Sequence, residues 1–206
     1  MNKNTLLGFA LIVAMILGLA LPGCQKTSEP SELPYEALHL GNFLFVITKT
    51  TEDTKTNLHL PVVAHFDEPQ DLQVGDVMAL AFDQLMESFP PQAVITSSKK
   101  LLEEHKAYLA NFDLAQQLLE IRPEQTYLID VRTKEEFEEG HVPNSINIPL
   151  DQIESIVDIV PDTDSTLLLY CQSGRRTVTA AKALLDLGYK VIFDLGGILN
   201  YVGDLE

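Results

Sequence analysis

Positive charge and cysteine are what this sequence has least of. Fourteen Lys and Arg stand against thirty Asp and Glu in 206 residues, a formal net charge of -16. That balance excludes a nucleic-acid surface, which needs clustered cations to displace counterions from phosphates. Most of the acid reads as solvated surface serving solubility. Only two cysteines occur, Cys24 and Cys171, so no disulfide framework can be built. What the chain does have is apolar material, 46% of its residues, enough for a core and for two small domains.

One apolar run stands apart. Lys3 is the only charged side chain before residue 24, Leu6 to Leu21 is apolar apart from glycines, and Pro22-Gly23-Cys24 closes the run. It reads as a secretory signal, short for a membrane span of about 20 residues. Leu21-Pro22-Gly23-Cys24 resembles a bacterial lipobox, in which the cysteine is lipidated and becomes the mature N-terminus. Pro22 departs from the usual Ala or Ser, and an uncleaved anchor is the alternative. Residues 1–23 are thus expected to be a lipoprotein signal peptide, and residues 24–34, rich in Ser, Glu, Thr and Pro, a flexible tether. The expected location is extracytoplasmic, lipid-anchored at Cys24 to the bacterial cell membrane. Removing one lysine makes the mature charge 13 minus 30, or -17, which anionic headgroups would repel, so the acyl chain and not the protein surface would hold the membrane. A lipidated Cys24 cannot form a disulfide, which leaves Cys171 a lone thiol in a compartment that favours disulfides.

Residues 35–98 read as β structure. Ala37 to Lys49 is mostly apolar and β-branched, Leu58 to Phe66 is a second run, and polar Thr50 to Asn57 between them suits a hairpin loop. Leu72 to Leu80 carries a Gly75-Asp76 turn before another strand, and Pro90-Pro91 punctuates the entry to a last one, Val94 to Thr96. Some five short strands imply a small all-β, barrel-like domain. The segment is similar to a small β-rich domain of unknown function found in Gram-positive secreted lipoproteins. It holds no catalytic constellation: His59 and His65 flank a strand as structural histidines do, and a spacer or binding role is the default.

Residues 99–106 are charged and helix-prone and read as a linker helix. From residue 107 to 206 the pattern changes to alternating α and β, which predicts an α/β fold with a mostly parallel sheet covered on both faces. Asp113 is expected to cap a helix running to Glu120, Tyr127 to Val131 is a strand, and Thr133 with Glu136 has capping-box spacing. Ile146–Ile148, Thr166–Tyr170 and Lys190–Phe193 supply further strands. In such sheets reactive groups gather at the carboxyl ends of the strands, where Asp130 and Cys171 fall.

Cys171-Gln172-Ser173-Gly174-Arg175-Arg176-Thr177 follows the apolar Leu167–Tyr170 and precedes a helix-like run, Val178 to Leu187. A strand, a cysteine, a tight loop and a helix N-terminus make an anion cradle, because unpaired backbone N–H groups and the positive end of the helix dipole converge there. Gly174 permits positive φ, and Arg175 and Arg176 add formal charge. Such surroundings favour the thiolate, the nucleophilic form of cysteine.

The loop resembles the active-site loop of the rhodanese family of sulfurtransferases, whose pattern is Cys-x-x-Gly-x-Arg followed by Ser or Thr. Leu128-Ile129-Asp130-Val131-Arg132 matches the family's Asp-Val-Arg strand end. Glu135 to Pro143 matches its helix and Gly-His-Ile-Pro turn, Ser145 to Pro149 its next strand, and Asp194 to Ile198 its Gly-Gly turn. The resemblance implies a rhodanese-like parallel sheet flanked by helices, and sulfur transfer through a Cys171 persulfide from thiosulfate or a persulfide to a thiol or cyanide. Arg176 would be catalytic alongside Cys171. Gln172, Ser173, Gly174, Arg175 and Thr177 would bind the anionic donor and the persulfide, with Asp130 and Arg132 supporting. No cofactor and no metal are implied. His141 reads as a turn-stabilising histidine, and Glu135, Glu136, Glu138 and Glu139 as one exposed helix face. Two other readings stand beside this one. A non-enzymatic persulfide carrier or binding module needs the same loop. A phosphatase or arsenate reductase also uses a cysteine in an anion loop, but with five residues between Cys and Arg, where Cys171 and Arg176 leave four.

Overall fold

The structure, a computed structural model, describes residues 33–101 and 104–206. The expected signal peptide, Cys24 and nearly all of the tether lie outside the described residues. Two sheets are present. The first holds β1 (Tyr35–Gly41), β2 (Leu44–Thr50), β3 (Pro61–His65), β4 (Val77–Ala81), β5 (Gln92–Val94) and β6 (Ser97–Leu101), in the order β5-β3-β2-β1-β4-β6. Its pairings are antiparallel except for β3 with β5.

The N-terminal region is therefore β-rich, and three details differ from expectation. The apolar run Ala37 to Lys49 is two strands, because Asn42 and Phe43 both adopt positive φ and fold β1 back on β2, the conformation that a two-residue hairpin demands. The polar stretch after β2 coils into a 3-10 turn, Glu52–Asn57. The described residues of the expected linker helix over 99–106 are not helical: Ser97–Leu101 is the edge strand β6, hydrogen-bonded to β4. Lys100 there pairs with Asp76 at 2.6 Å. The free edge of β4 outweighs helix propensity, and a lysine-bearing edge strand discourages further pairing.

The second sheet holds β7 (Ala107–Leu109), β8 (Thr126–Asp130), β9 (Ser145–Asn147), β10 (Thr166–Cys171) and β11 (Val191–Gly197), in the order β7-β11-β10-β8-β9. Every pairing in it is parallel. Four helices accompany it: α1 (Phe112–Ile121), α2 (Lys134–Glu138), α3 (Ile156–Ile159) and α4 (Arg175–Asp186). The cap of α1 is Asn111, whose side chain accepts the Leu114 N–H at 2.9 Å. Asp113, expected as the cap, sits in the first turn, where its charge suits the dipole.

All six residues of β10 are buried, as a central parallel strand covered on both faces requires. The two-residue period sends Leu167, Leu169 and Cys171 into a cluster with Ala180, Ala181 and Leu184 of α4. Leu168 and Tyr170 point the other way, into a cluster with Leu114, Ala115 and Leu118 of α1. That second cluster also takes in Leu38, Leu40, Leu44, Val46 and Val77 of the first sheet. Arg122, which ends α1, donates its guanidinium to the Leu40 carbonyl. The β region is thus packed into the core of the α/β domain.

Candidate active site

Strand order decides what meets at the site. Tyr170 lies level with Asp130, and Cys171 with Gly197, so the carboxyl ends of β8, β10 and β11 converge. Cys171 is free and only 1% exposed. The Gly174 N–H points at Sγ, 3.1 Å away, the contact expected of a loop that cradles an anionic sulfur.

Gly174 is the N-cap of α4, with φ 88°. A side chain there would strain the backbone and would also approach Gly196 Cα to 3.2 Å. The helix begins at Arg175 instead of Val178, bringing its N-terminal dipole up to the cysteine. Thr177 is fully buried and its hydroxyl donates to the Gly174 carbonyl at 2.6 Å, fixing the loop from inside. Gln172 is half-buried, and Ser173 and Arg175 are exposed.

Gly197 supports the loop from below. A β-carbon there would meet the Gln172 carbonyl oxygen at 2.7 Å and Ser173 Cα at 2.9 Å, and both are backbone atoms that cannot swing aside. Gly197→Ala is therefore expected to lift the loop and lower kcat/KM about 10²-fold, since a displacement of about 1 Å can cost that much. Turnover measured beside a melting curve checks this: full activity in a folded variant would show that the loop does not depend on the contact.

Asp130 and Arg132 form a buried pair. Arg132 Nε and Nη2 donate to Asp130 Oδ2 at 2.8 and 2.6 Å, and the Arg132 N–H donates to Oδ1 at 2.8 Å. Arg132 Nη2 also donates to the Gly140 carbonyl at 2.7 Å, and Asn147 Nδ2 donates to the carbonyls of both residues of the pair. Burial opposes the charge on Arg132, and the Asp130 carboxylate more than offsets it, raising the guanidinium pKa. These bonds tie the end of β8 to Gly140 and Asn147 and hold the turn closed. His141 has a comparable duty, its Nδ1 3.0 Å from the Phe137 carbonyl and its ring stacked on Phe137.

Arg176 is where the geometry departs most from expectation. Nη1 and Nη2 donate to Glu136 Oε2 and Oε1 at 2.6 and 2.8 Å, a fork-to-fork ion pair. The expected exposed acidic face of α2 is therefore broken at Glu136, which turns to the cradle. Glu136 is also the capping-box acid, its Oε2 accepting the Thr133 N–H at 3.0 Å. The Arg176 hydrogen bond, working against burial, holds its carboxyl at about 2, so it stays ionised throughout the neutral range. Capping spacing alone marks Glu136 only as a helix-start residue; the partner forty positions away becomes visible once β8 and β10 are adjacent.

Comparison with known proteins gives the family. Residues 112–204 match the rhodanese-like domain. Over 71 residues, 34% of this chain and 68% of the relative, the sequence is 39% identical to the thiosulfate sulfurtransferase PspE of Escherichia coli K12. Over 83 residues, 40% of this chain and 80% of the relative, it is 33% identical to the putative sulfurtransferase YtwF of Bacillus subtilis 168. A solved structure of a rhodanese with anions from E. coli is 34% identical, with a TM-score of 0.38, and its match covers 39% of this chain and 96% of that one. The chain belongs to the rhodanese family. The matched region is its C-terminal part, and several of the relatives are named as sulfurtransferases.

Proposed function

We propose that the protein is a rhodanese-type sulfurtransferase that moves a sulfane sulfur from thiosulfate or a persulfide donor, through a persulfide on Cys171, to a thiophilic acceptor such as cyanide or a thiol. The observation that carries this reading is the Gly174 N–H directed at Cys171 Sγ from the start of α4. With thiosulfate, the Cys171 thiolate attacks the outer sulfur, a new S–S bond forms, and the bonding pair of the old one leaves with sulfite. Cyanide then attacks the outer sulfur of the persulfide, forms thiocyanate and returns the thiolate. The loop N–H groups of residues 172–177 hold the anionic sulfur at both stages. Arg176, held by Glu136, orients the start of α4, and exposed Arg175 is the cation open to an approaching donor. Intact-mass measurement of the full chain before and after thiosulfate tests the reading. A gain of one sulfur that cyanide removes, repeated over many turnovers, is the expected result. No gain in folded, reduced protein would overturn it, and a gain without turnover would leave a persulfide carrier.

We propose also that the chain is anchored outside the cytoplasm by acylation of Cys24. Metabolic labelling with a fatty acid analogue is expected to mark the wild type and not Cys24→Ala; equal labelling of both would refute this.

A further inference from the structure

Three arginines lie on the β8 and β10 segments whose carboxyl ends converge at the cysteine, and two are already ion-paired. Arg132 is spent on Asp130 and on the Gly140 carbonyl. Arg176 gives both terminal nitrogens to Glu136. Arg176 sits in the first turn of α4, two residues after the Gly174 whose N–H meets Cys171 Sγ at 3.1 Å, so the pair stands beside the cradle. Arg175 is exposed and has no ion pair or hydrogen bond among the described residues. The whole chain carries a formal net charge of -16. Glu136 is no loose surface acid either, since its Oε2 is shared between Arg176 and the Thr133 N–H that starts α2.

Building on the sulfurtransferase reading, we infer that Glu136 determines donor specificity: by cancelling Arg176 beside Cys171 it weakens the site for a dianionic donor such as thiosulfate and favours an organic persulfide. Thiosulfate brings two negative charges toward a thiolate. An organic persulfide brings at most one. Each further charge on the donor feels the carboxylate at Glu136 once more, through a partly hydrated site where a unit charge still acts over about 10 Å. The chemistry balances equally well with the second donor: the thiolate takes the outer sulfur of R–S–SH, the donor S–S bond breaks, and R–SH leaves with the donor's proton. Selection between donors is thus electrostatic and not a matter of the bond being broken.

Glu136→Gln isolates this effect, because the amide oxygen can keep the capping bond to Thr133 while the charge is lost. The full chain is mixed at low salt with thiosulfate or with the persulfide of mercaptoethanol, whose organic part is uncharged. Loading of Cys171 is followed by quenched intact mass. The variant is expected to shift the ratio of loading rates about three- to tenfold toward thiosulfate. Asp186→Asn, which removes an exposed charge paired with Lys182 at the far end of α4, is expected to leave the ratio unchanged. Equal changes for both donors, or a shift away from thiosulfate, would overturn the inference and reduce Glu136 to a structural residue. The same shift in Asp186→Asn would overturn it too, in favour of overall charge. Loading of the wild type by neither donor would sink the sulfurtransferase reading itself, and this inference with it.

Discussion

Cys171→Ser is expected to abolish sulfur transfer, with at least about a 10³-fold loss of turnover, while the protein keeps its fold. The hydroxyl that replaces Sγ is not ionised at neutral pH and forms no persulfide, so the first step has no nucleophile. The cradle should survive the change. Cys171 packs among Leu167, Leu169, Ala180 and Ala181, serine is of similar size, and its oxygen can accept the Gly174 N–H that now points at Sγ. The stability cost is therefore about 1 kcal/mol, the scale of one exchanged hydrogen bond. Residual sulfur loading in a folded Cys171→Ser protein would place the sulfur elsewhere; unfolding would show that the thiol is part of the core's integrity.

Asp130→Asn is expected to be the most damaging change to stability, at about 3–5 kcal/mol. Asp130 is fully buried and Arg132 is 4% exposed, so the substitution leaves a guanidinium in the interior with no counter-charge, only the new amide oxygen and the Gly140 carbonyl accepting from it. Out of a typical total of about 5–15 kcal/mol, that loss is large. Replacing both partners with leucine removes the two charges together and is expected to recover most of the stability, because buried ion pairs often break even against apolar substitutes. Denaturant unfolding of the single and double variants decides: an Asn variant within about 1 kcal/mol of wild type would mean that the pair contributes little. The double variant should still lose activity, since the β8 turn that leads to α2 and Glu136 would no longer be closed by Arg132.

How much of this was legible beforehand depended on how local each pattern is. The Cys171 to Thr177 loop lies on seven consecutive residues, and strand, turn and helix start follow from the apolar run, the glycine and the helix-forming residues after it. The Thr133–Glu136 capping box is equally local, and it appears as expected. Alternation of short apolar strands with helices was enough for a parallel sheet covered on both faces. Where expectation failed, a neighbour distant in sequence had overruled local preference. Residues 99–106 have helical composition, yet Lys99, Lys100 and Leu101 pair with β4; Val178 looks like a helix start, but the helix begins at Arg175 where the cradle needs it.

By itself, then, the sequence determined the candidate cysteine, its loop and the class of sheet that carries it, because those are written in contiguous residues whose conformations are set by sterics and backbone hydrogen bonding. The tertiary structure alone decided that Glu136 reaches Arg176, that Gly197 underlies Gln172 and Ser173, and that Leu38, Leu40 and Val46 of the first sheet complete the core around α1. Each of these is a contact between segments brought together by strand order, and no spacing within one segment encodes it. The physical reason is that burial and charge pairing act on whatever the folded sheet places side by side, whatever the distance along the chain.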